Sequence, residues 1–140
     1  MHQIIFIASV DAVASLESDD NPAEEFPCMS SQQFHKEARA QLYVLVLNTF
    51  LDEAINLEQL YRTISYDGPF IYQLTPELIE ALARLEEDQI GDVALTWLEC
   101  EEIEQLGLDT NDLHEFMFQF VHFCQIAVND NLSIFIYSDD

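Results

Sequence analysis

The segment NDLHEFMFQFVHFCQIAVND, residues 111–130, sets the strongest limit on what this chain can fold into. Wound as a helix, it carries Phe116, Met117, Phe120, Val121, Phe123, Cys124 and Ala127 over most of its circumference. A helix that is apolar on nearly every side belongs in the middle of a fold, where other elements cover it. The rest of the chain must supply that cover. Asp109 or Thr110 is placed to cap this helix, and Gly107 is a natural stop for whatever precedes it.

Short runs rich in β-branched and aromatic residues read as strands: QIIFIA at 3–8, PFIYQL around 70–74 and the core of NLSIFIYSDD at 132–137. Helical spacing appears elsewhere. A helical turn fits 10–16. Ser30-x-x-Gln33 fits a capping box opening a helix with Phe34, Ala38, Leu42, Leu45, Val46 and Thr49 on one face. A second helix is read over 51–64 from Ala54, Ile55, Leu57, Leu60, Tyr61 and Ile64, followed by a turn at 66–69. Thr75 caps a helix with Pro76 at its first position and Leu78, Ile79, Leu82 and Leu85 inward. Residues 88–106 form another, with Ile90, Val93, Ala94, Trp97 and Leu98 inward. SLESDDNPAEEFPC, 15–28, reads as an exposed acidic loop. The expectation is one α+β domain over 1–140, about five helices packed with a sheet of roughly three strands. The two chain-end strands should pair with each other or with the middle one.

Charge is the second constraint. The formal net charge is -23, where about 2 to 8 in magnitude suffices for solubility of a small domain. A disordered acidic chain would be poor in large apolar residues, but 49% of this one is hydrophobic, so it folds. Self-repulsion on this scale opposes compaction, which calls for a compensating benefit; adaptation to a saline interior is one that needs no partner. The only bases, Lys36, Arg39, Arg62 and Arg84, leave residues 85–140 with fourteen acids and no Lys or Arg. Direct binding to nucleic acid or anionic lipid is disfavoured, because it rests on bases neutralising phosphates. A basic protein is the partner such a field attracts.

No sequence pattern announces catalysis. There is no G-x-S-x-G elbow and no glycine-rich phosphate loop. Cys28, Cys100 and Cys124 are odd in number and far apart, which fits free thiols in a reducing cytoplasm. The start of the chain, MHQIIFIASVDAV, lacks a basic leader and reads as a strand rather than a signal peptide, and no apolar run approaches the roughly 20 residues of a membrane span. His114 and His122 share a helix with Glu115, but their spacing departs from HExxH, and no metal or cofactor is expected. DTNDLHE lacks the glycine and ligand alternation of a calcium loop. What stands out is the acid band Glu99, Glu101, Glu102, Glu104, Asp109, Asp112 and Glu115, with Asp19, Asp20, Glu24 and Glu25 as a second set. Exposed helices ordinarily intersperse both signs; this band does not.

GPFIYQLTPELIEAL, then Trp97-Leu98-Glu99 with Glu101-Glu102, then SIFIYS, resembles a group of small uncharacterised acidic bacterial proteins over about the last half of the chain. The resemblance implies a bacterial, cytosolic, single-domain protein and transfers no activity. In character, without a shared motif, the chain is also similar to bacterial immunity proteins, which neutralise toxin domains. The expected function is therefore non-enzymatic: an acidic protein masking a basic partner, an immunity protein foremost. The alternatives are a DNA mimic inhibiting a nucleic-acid-binding protein, an enzyme with a site near His114 and His122, and a structural acidic subunit, self-associated or not.

Overall fold

The two ends of the chain meet in the middle of a sheet. In the computed structural model, which describes residues 3–17, 20–31, 34–64, 66 and 68–138, β1 (Gln3–Ala8) pairs antiparallel with β5 (Ser133–Ser138) over its full length, from Gln3 opposite Ser138 to Ala8 opposite Ser133. β5 also pairs with β4 (Phe70–Leu74), and β4 with β3 (Glu58–Thr63), while β2 (Cys28–Ser30) adds to the other side of β1. The sheet is antiparallel throughout, in the order β2-β1-β5-β4-β3. The α+β class stands. The described residues hold five strands and eight helices, not roughly three and five.

The helices are α1 (Val10–Ala14), α2 (Pro22–Glu25), α3 (Lys36–Leu47), α4 (Leu51–Ile55), α5 (Pro76–Ala83), α6 (Glu87–Leu98), α7 (Glu101–Leu106) and α8 (Thr110–Asp130). As the apolar pattern requires, α8 is central: it packs on α5, α6, β1 and β5, and Phe120, Cys124 and Ala127 are fully buried. On this side of the sheet Ile5, Ile7, Ile134, Ile136 and Leu74 join the helices in one large core. The period-two alternation of the strands sends Ile4, Phe6, Ile71 and Phe135 to the opposite face. There Val13, Leu16 and Phe26 cover them, and Phe6 stacks on Phe26 and Phe135 with ring centroids 5.4 and 5.6 Å apart. The acidic segment 15–28 thus contains a short helix and the start of β2, and its apolar residues cap the sheet's second face.

Three local readings change. Ser30 does not open a helix but ends β2; α3 starts six residues later, capped by His35, whose Nδ1 accepts from the Ala38 N–H at 3.4 Å, and Gln33 lies outside the described residues. The helix read over 51–64 stops at Ile55, and 58–63 is an edge strand. Its register slips between Leu60 and Arg62, a bulge, and both Tyr61 and Arg62 then reach α1: the Tyr61 hydroxyl donates to Val10 O at 3.3 Å and Arg62 Nη1 to Val13 O at 2.9 Å. The helix read over 88–106 breaks at Glu99 and Cys100. One unbroken helix would set Ile103 about 240° round from Trp97. The break lets both side chains be fully buried in the same core. The turn at 66–69 joins β3 to β4, with Asp67 outside the described residues.

Candidate functional site

The acid band lies on the consecutive elements α6, α7 and α8. Glu99 closes α6; Glu101, Glu102 and Glu104 occupy α7, held down by buried Ile103; Asp109 caps α8, with Asp112 and Glu115 in its opening turns. All are exposed except half-buried Glu102, which accepts from Gln41 Nε2 of α3 at 3.2 Å. Gly107 ends α7 in the left-handed region at φ 68, where a side chain would be strained, and so turns the chain into α8. Asp109 and Asp112 cap α8 reciprocally: Asp109 Oδ1 accepts from the Asp112 N–H at 2.9 Å, and Asp112 Oδ2 from the Asp109 N–H at 3.2 Å.

Part of the acidity therefore has a local cause. Each of the eight helices carries an acid in its first turn, where the aligned peptide dipoles favour negative charge by about 0.3–1 kcal/mol. The same physics favours bases at the other end, yet no helix holds a base in its own last turn. The second acid set is not brought to the band. Asp20, Glu24 and Glu25 sit on the segment covering the opposite face of the sheet, and Asp19 lies outside the described residues.

The bases have their own places. Arg39 is fully buried and bonds through all three of its nitrogens: Nε and Nη2 donate to Glu58 Oε2 and Oε1 at 2.7 and 2.9 Å, and the two N–H groups of Nη1 are shared among Gln3 Oε1, Ser31 Oγ and Phe34 O. The Tyr43 hydroxyl donates to the same Glu58. Burial opposes the Arg39 charge, but Glu58, with a smaller contribution from Tyr43, outweighs it and holds the guanidinium above its usual range. Burial, then the Glu58 charge, pushes Tyr43 well up. Lys36 stands 5.1 Å from the Tyr72 ring centroid, Arg62 serves the end of α1, and Arg84 closes α5. This buried network went unread in the sequence, although its signal was there: Arg39 interrupts a helix whose neighbours Ala38, Ala40, Leu42 and Tyr43 are all core residues.

The histidine helix does not gather a site. His114 is half-buried over Gly91, 6.0 Å from the Phe118 ring, while His122 is exposed in a shallow hollow with Glu87. No group of His, Cys, Asp or Glu among the described residues could hold a metal ion. Burial, and after it Glu102 and Glu99, push the Cys100 thiol up; burial alone pushes up Cys124. Among the described residues no helix is long and apolar enough to cross a membrane. Compared with family models, curated proteins and solved structures, the chain matches none.

Proposed function

We propose that this chain is a non-enzymatic, cytoplasmic binding protein that masks a basic protein partner with the acid band of α6, α7 and α8, and that the partner is a bacterial toxin domain. The observation that carries the reading is where the bases are. Arg39 is sealed inside against Glu58, while Lys36, Arg62 and Arg84 serve other elements, so none lies within residues 99–115 to counter the exposed acids there. A toxin surface built to hold phosphate is basic, and carboxylates complement it, accelerating encounter and rejecting wrong partners.

The test is affinity capture from the native host with this chain as bait, washed at low and then high salt. The expected result is one basic protein retained at low salt and weakened at high salt. Its association with the Glu99→Lys/Glu101→Lys/Glu104→Lys variant should be slower and less dependent on salt. Unchanged association with intact folding removes the band from the interface. The identity of the captured protein, a toxin domain or a nucleic-acid-binding protein of another role, separates the toxin from the DNA-mimic reading.

A further inference from the structure

Charge speeds an encounter, but a stable interface is held by a desolvated apolar centre. Apart from Leu95, one turn before Glu99 on α6 and 55% exposed, the acid band offers none: no large apolar side chain is exposed between residues 99 and 115. Further along the same helix α8 there are two, Phe118 at 43% and Val128 at 48% exposure. Each lines a hollow, and neighbouring hollows share lining residues. One of about 260 Å³ holds Phe118 and His122 against α6; the next, about 280 Å³, shares Gln125 with it; the third, about 460 Å³, shares Glu80 and Val128 with the second. Together they make a segmented groove along the outer side of α8, beside α5 and the start of α6, with the Gln125 amide crossing between the first two hollows to donate to Ala83 O at 3.3 Å.

The groove has an apolar floor, to which Ile79, Ile90, Val121 and Ala127 contribute, and a rim of carboxylates from Glu87, Glu80 and Asp11. Arg84 is the base on it, four residues after Glu80. From Phe118 to Val128 the axis of α8 advances about 15 Å, a little under three turns. Apolar side chains at i, i+4, i+7 and i+11 of an incoming helix span about that length, and bases on its flanks would face the rim.

We propose that this groove seats a basic amphipathic helix of the partner, its apolar side chains in the three hollows and its lysines or arginines against Glu80, Glu87 and Asp11. The proposal rests on the masking function above and adds to it the partner's chemistry and the place where it is held.

The test titrates the full isotope-labelled chain with a Lys/Leu peptide of about four helical turns, its leucines at those four positions. A permuted peptide of the same composition has the leucines spread round the helix, and a third peptide carries Glu in place of Lys. The facially ordered basic peptide should bind about tenfold more tightly than the permuted one, with amide shifts at Ala83, Gln125 and Val128. The Glu peptide should not bind. Val128→Arg, at an exposed position, should weaken binding about tenfold with an unchanged melting temperature. Equal binding of both basic peptides, with shifts confined to 99–115, overturns the groove and leaves the masking function standing. A native partner that is insensitive to Val128→Arg but lost with the triple Lys variant does the same. No binding by either basic peptide at low salt overturns the groove, and capture from the host then decides the masking function separately. A dimer of the chain in sedimentation, dispersed by Val128→Arg, makes the occupant a second copy and overturns the proposal.

Discussion

The interior and the acid band treat charge in opposite ways. Inside, Arg39 and Glu58 are both buried, joined by two hydrogen bonds, with Tyr43, Gln3, Ser31 and Phe34 taking the remaining capacity. In the band, carboxylates face solvent and meet only backbone N–H groups or glutamine amides. The difference shows what each arrangement can contribute. A buried, fully paired charge ties α3 to β3 and β1, and its loss is costly. An exposed, uncompensated charge adds little to the fold and is available to another molecule.

The largest effect should come from breaking the interior pair on one side. Glu58→Gln leaves the Arg39 guanidinium buried without its counter-charge, and should lower unfolding free energy by about 3–5 kcal/mol in urea titration. A loss under about 1 kcal/mol would mean that Arg39 finds water, and the contrast between the two regions would collapse. Tyr43→Phe removes one donor to an ionised acceptor and should cost less, about 1.5–3 kcal/mol.

Alkaline pH probes the same region. Tyr43 and Cys124 hold their protons more tightly folded than unfolded, because burial raises both. Their contribution is fully present below the unfolded values, 10.0 and 9.0, and is lost as pH rises through them towards the folded ones. Stability should therefore fall above about pH 9, each group adding a slope of about 1.4 kcal/mol per pH unit once its unfolded form ionises. Tyr43→Phe should flatten the part above pH 10.0. An unaltered slope would place that proton elsewhere.

These two regions were unequally legible in the sequence. The apolar run of α8, Thr75 with Pro76, and the three strands with strong β-branched or aromatic runs could be read because burial writes periodicity directly into side-chain choice. β3 could not. Leu57, Leu60, Tyr61 and Ile64 keep helical spacing, yet Glu58 is drawn inward by Arg39 and the bulge turns Tyr61 and Arg62 towards α1. Those are long-range partners, and no local pattern contains them. β2, at three residues, is too short to show any period, and the break at Glu99 answers a packing need between Trp97 and Ile103 that spacing alone does not reveal. The acid band was legible as composition. Its division between capping groups and uncommitted carboxylates required the helix ends.

That division yields the smaller effects. Asp109→Ala removes the cap of α8 and should cost about 1 kcal/mol, without slowing association with a basic partner as the triple Lys variant should. The smallest effect on stability should come from Glu99→Lys/Glu101→Lys/Glu104→Lys. Lysine at 101 and 104 opposes the dipole at the start of α7 by about 0.3–1 kcal/mol each, while lysine at 99 favours the end of α6 by a similar amount. Moving the net charge of -23 towards neutrality also relieves repulsion. The terms oppose one another, so the net change should stay within about 1 kcal/mol. Salt separates them. Screening at about 0.5 M should raise the melting temperature of the native chain, and should raise that of the variant less, because the variant has less repulsion to screen. An equal rise in both would mean that the band's charge lies too far from the other acids to repel them. A variant losing several kcal/mol would give the band a structural duty like that of the interior pair.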